Sequence, residues 1–84
     1  MVETIDEPVE VLTLFRDGKV EPLRFRWRRK VVRISRVTGD WVSSRTGRDR
    51  VHYYSVLGDG SDYFELSFHT RTFQWTLTRV WMDG

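Results

Sequence analysis

Cysteine is absent from this 84-residue chain, which excludes disulfides, thiolate metal sites and thiol nucleophiles. Histidine occurs only as His52 and His69. Neither has a metal-ligand spacing around it, so surface or structural roles are expected for both. No serine lies in a nucleophile-elbow context, and no glycine-rich loop precedes a helix to cradle phosphate. A binder is therefore expected, not an enzyme, and no cofactor. No apolar run reaches about 18 residues, which excludes a membrane-spanning helix. Residues 1–7 are acidic and lack an apolar segment, so no signal peptide is expected there. Without cysteine or a signal, the chain is expected in the cytoplasm.

Helical periodicity is missing as well: apolar residues nowhere recur at i, i+3, i+4, i+7 over two turns. What the chain does have is twelve aromatic residues in a length near the lower limit for unstapled folding. These can supply a core. Leu23, Phe25 and Trp27 alternate with Arg24, Arg26 and Arg28, and Val32 and Ile34 flank Arg33. Such period-two alternation marks half-buried strands. Strands are predicted over residues 9–15, 20–27, 31–37, 51–57 and 62–68, with a last one from Phe73 onward. Asp17-Gly18 suits a hairpin turn, and Pro22 implies an edge or a bulge. Arg28-Arg29-Lys30 is read as a turn although it lacks Gly or Asn. A bulge near Ser35-Arg36 would return Val37 to the core. Thr38-Gly39-Asp40 is read as a further turn, residues 43–50 as a polar loop, and residues 58–60 as a hairpin turn.

The expected fold is all-β, an antiparallel meander of about six short strands curled into a small barrel or roll. Residues 1–8 are expected to be a flexible tail and residues 9–84 a single domain. Leu23, Phe25, Trp27, Val32, Ile34, Phe64, Leu66, Phe68, Trp75 and Leu77 form the predicted inward set.

The net charge of +2 hides a segregation. Residues 1–22 hold two cations against six acids, a balance of −4. Residues 23–50 hold ten against two, +8, and residues 51–84 two against four, −2. Two readings of the basic middle stand open. In one, the arginines pair across strands with Glu10, Glu21 and Glu65, each exposed pair contributing about 0–1 kcal/mol. In the other, they form a patch for nucleic acid or another polyanion. Arg24, Arg26, Arg33 and Arg36 would make its face and Arg28, Arg29 and Lys30 its rim, with Arg45, Arg48 and Arg50 able to extend it. A row of guanidinium groups on one sheet face repels itself unless an anion lies on it. The alternative is a protein-interaction module, an adaptor or homodimer, meeting an acidic protein surface. Trp81, Trp41 and Tyr63 would be its interface residues.

The residues F-R-W-R-R-K-V-V-R-I-S-R-V at 25–37, H-Y-Y-S-V at 52–56, Y-F-E-L-S-F at 63–68 and W-T-L-T-R-V at 75–80 carry a likeness. The chain resembles a small bacterial all-β domain family of uncharacterised function. Its domains stand alone or as C-terminal tails of polymerase-like subunits in translesion DNA synthesis. The resemblance implies a nucleic-acid or DNA-repair setting and no catalytic residue. Arg29 stands where that pattern often has a turn glycine, and Val32 where it often has tyrosine.

Overall fold

The computed structural model describes residues 1–46 and 49–82, with side chains at 1–43 and 50–82. Six antiparallel strands follow one another around a closed barrel. They are β1 (Val2–Arg16), β2 (Lys19–Trp27), β3 (Lys30–Thr46), β4 (Asp49–Gly58), β5 (Tyr63–His69) and β6 (Gln74–Trp81). No helix occurs among the described residues, so none there is long and apolar enough to cross a membrane. The all-β meander read from the sequence is what forms, and it closes.

Closure comes from the segment expected to be a tail. Residues 2–9 of β1 pair with β6, from Val2↔Trp81 to Val9↔Trp75. Residues 10–16 pair with β2 on the other side. A register shift between Thr4 and Glu7 sits at Asp6, whose φ is 52°. The tail reading is therefore corrected: an acidic composition does not prevent a strand whose partner lies at the far end of the chain.

Alternation places the core. Phe25, Tyr54, Val56, Phe64, Leu66, Phe68, Trp75, Leu77 and Val80 are buried, and Trp27, Val32 and Ile34 pack against them half-buried. Each such side chain contributes roughly 1.5–3 kcal/mol on full burial. Phe25 and Phe64 meet edge to face at 5.1 Å, a favoured aromatic geometry. Gly58 is buried, and a Cβ there would approach Phe64 to 2.8 Å and Val32 to 3.0 Å. Its use is space for the core, in addition to the turn that follows it.

Leu23 leaves the inward set. A register shift between Leu12 and Thr13 skips Leu23, so this residue bulges outward, 42% exposed, while Pro22 is buried. The bulge signalled by Pro22 is present. It breaks the alternation that placed Leu23 inside. The bulge at Ser35 is also present, between Ile34 and Arg36, yet Val37 stays exposed. Thr38-Gly39-Asp40 is no turn: β3 runs through it with a further register shift and pairs with β4 as far as Thr46↔Asp49. The polar loop at 43–50 is thus largely strand. Arg48 and the side chain of Arg45 lie outside the described residues.

Candidate anion-binding face

Residues paired across an antiparallel ladder point to the same side of the sheet. The row Val11↔Phe25↔Val32 turns into the barrel, so the rows beside it turn out. One of these is Leu12↔Arg24↔Arg33 and the other Glu10↔Arg26↔Val31. All six of those residues are exposed. Arg24 and Arg33 stand directly opposite one another, a like-charge arrangement that costs stability by itself.

The turn joining β2 to β3 adds the rim. Trp27 pairs with Lys30, leaving Arg28 and Arg29 as the two turn residues with φ of 49° and 66°. Two positive φ values define the type I′ pattern that hairpin twist favours and that Asn-Gly ordinarily fills. Here two arginines fill it, projecting guanidinium groups from the end of the wall.

Arg28 is held in place. Its Nη2 donates to Glu7 Oε2 at 3.0 Å, and its Cζ lies 4.6 Å from the centre of the Trp27 ring. The Trp27 indole N–H donates to the other Glu7 oxygen at 3.2 Å. The hydrogen bond from Arg28 holds the Glu7 carboxyl below its usual pKa, against partial desolvation, with the Trp27 N–H and the charge of Arg28 adding to it.

Two further acids are engaged elsewhere. Glu21 pairs with Arg16 at 3.2 Å and Glu65 with Arg79 at 3.8 Å. Thr78 O–H also donates to both the carbonyl and the carboxylate of Glu65. Glu10 lies opposite Arg26 without forming an ion pair. Among the described residues Arg24, Arg26, Arg29, Lys30, Arg33 and Arg36 have no ion-pair partner. The structure thus brings Arg24, Arg26 and Arg33 onto one wall, with Arg28, Arg29 and Lys30 at its end. Arg36 is separate: beyond the β3 bulge it pairs with Leu57 and lines a different groove.

That second groove, about 630 Å³, opens where β2 and β3 part. Their ladder covers only four residue pairs. Lys19, Pro22, Leu23, Arg36, Asp40, His52 and Tyr54 are among its lining residues. Burial raises the Tyr54 phenol pKa, and the negative charge of Asp40 adds to the shift.

A first groove, about 610 Å³, opens where β1 leaves β6 for β2. Arg26, Arg28 and Arg29 line it together with Phe73, Gln74 and residues 8–11 of β1. Phe73 was not a predicted site residue. It is 72% exposed and has a φ of 57°. The Phe73-Trp75-Leu77 alternation hides it, because that period places Phe73 on the same side as two core residues.

The aromatic residues read as an interface separate into two groups. Tyr63 and Trp81 are cross-strand neighbours, in a row completed by Leu57 and Val2. Trp41 lies flat on Tyr53, ring centres 5.3 Å apart and planes 6° apart. Tyr53 therefore shares the outer side, whereas Tyr54 is core. The chain matches no family model, and no curated protein or solved structure is similar to it.

Proposed function

We propose that the domain binds nucleic acid or another polyanion through the wall carrying Arg24, Arg26 and Arg33 and the rim of Arg28, Arg29 and Lys30. The observation that supports this reading is the excess of cations: Glu7, Glu21 and Glu65 pair with Arg28, Arg16 and Arg79, and Glu10 is the one acid in the outward rows that carry Arg24, Arg26 and Arg33. Phosphates would neutralise the wall with little sequence readout. The resemblance noted above supports a DNA-repair or nucleic-acid setting, with the domain a binder and not an enzyme.

Fluorescence anisotropy with labelled oligonucleotides at about 50 and 200 mM salt tests this. Contacts from the three wall arginines give a slope of log K against log salt of about −2 to −3. Arg24→Ala and Arg26→Ala should each flatten it by nearly one unit without unfolding the domain. A slope that neither substitution moves rules the wall out as the binding surface.

A second reading, protein interaction, is favoured by the row of exposed Val2 and Tyr63 with half-buried Trp81 and Leu57. In it the arginines meet the acidic residues 1–22 of a neighbouring copy.

A further inference from the structure

We propose that Phe73 is a stacking platform for an unpaired nucleobase, which makes single-stranded nucleic acid the preferred ligand of the arginine wall. The proposal rests on the polyanion reading and deepens it.

Phe73 is placed unlike an ordinary surface phenylalanine. It stands in the turn between β5 and β6, where its N–H donates to the His69 carbonyl at 2.8 Å. Left-handed backbone at a bulky side chain costs roughly 1–2 kcal/mol, and burial does not offset it here. The ring meets Phe68 at 5.8 Å and 42° and otherwise turns outward. Phe15, 61% exposed, meets the same Phe68 edge to face at 6.3 Å. Trp41, by contrast, already has one face covered by Tyr53.

Charge identifies the occupant. The groove beside Phe73 is also lined by Arg26, Arg28 and Arg29 against a single acid, Glu10; Arg28 is paired with Glu7, whereas Arg26 and Arg29 have no ion-pair partner, so cations are in excess. A ligand that fits both walls carries a π face and a phosphate within one repeating unit. A single strand offers that at every nucleotide, whereas a duplex keeps its base faces stacked inside. Gln74, exposed next to Phe73, supplies a donor and an acceptor for a base edge.

The test separates stacking from charge. The full chain is titrated with an oligothymidylate of about 12 nucleotides and with an abasic oligomer of equal length and charge. The unsubstituted chain should bind the base-bearing strand about tenfold more tightly, one stacked base being worth on the order of that factor. Phe73→Ala should abolish the difference and leave the salt slope unchanged, while Phe73→Tyr preserves it. Equal affinity of the unsubstituted chain for the two oligomers, or a difference that survives Phe73→Ala, overturns the stacking site and leaves the arginine wall standing. Failure of the unsubstituted chain to bind either oligomer at low salt overturns both, and the Phe15–Phe73 surface then belongs to a protein contact.

Discussion

Arg29 carries two opposed effects on one side chain. Its φ of 66° is a conformation that glycine adopts freely and that costs a residue with a β-carbon roughly 1–2 kcal/mol. Arg28, at 49°, recovers part of that cost through Glu7 and Trp27, whereas Arg29 has no ion-pair partner. Arg29→Gly should therefore stabilise the fold by about 1 kcal/mol, a rise of about 4–8 °C in Tm for a domain of this size. The same change removes one phosphate contact and should make the salt slope less negative by nearly one unit. Thermal melts and salt titrations of the one variant check both signs, and a lowered Tm would show that the turn is not strained. Nothing in R-R-K marks a left-handed turn, because the Gly or Asn that usually announces one is missing.

Strand β1 shows what period-two reading captures and what it misses. In β2, β5 and β6 an apolar residue alternates with a polar one, so these elements and most of the core were legible, although in β5 the polar Glu65 and Ser67 are buried as well. The Asp17-Gly18 hairpin was legible too, and its φ values of 53° and 73° are those of the turn its residue types favour. Residues 2–8 were not. The inward position opposite Leu77 is taken by Glu7, a residue that reads as solvent-facing until Trp27 and Arg28 are seen to bond it. The far half of the β3–β4 hairpin failed for a related reason: residues 38–46 are polar or exposed on both faces and carry no alternation. Of the site, Arg24, Arg26 and Arg33 were legible as one face, while Arg36 was lost to a bulge and Phe73 to a false continuation of β6. Glu7 also ties β1 to the β2–β3 turn through a carboxylate that must stay ionised. Its folded pKa lies below the ordinary 4.5, so its stabilising effect is complete above that value and disappears as pH falls through the lowered one. Glu7→Gln should reduce Tm at neutral pH and make Tm less sensitive to pH between about 5 and 3. Melts of the two proteins that stay parallel across that range would assign the acid sensitivity to other groups.

Taken whole, the molecule is longer than a compact globule of its mass, 39 × 25 × 23 Å. Its accessible surface of 6148 Å² exceeds the roughly 5,300 Å² expected for a 10.1 kDa chain. That surface carries an arginine wall with few acids and partly exposed aromatic rows, and the response to salt distinguishes how the wall is used. If it awaits a polyanion, the free monomer bears uncompensated repulsion, above all between Arg24 and Arg33, which face each other across the ladder. Screening then relieves the repulsion, and Tm should rise by a few degrees between about 50 and 200 mM salt, like charges directly opposite costing about 0.2–1 kcal/mol. Arg24→Ala should raise Tm at low salt and remove most of the salt response. If the wall instead seats the acidic residues 1–22 of a second copy, the signs reverse: salt lowers Tm, and a higher protein concentration raises it by mass action. Melts at two salt and two protein concentrations decide between these cases. The polyanion reading requires a Tm that climbs with salt and ignores protein concentration.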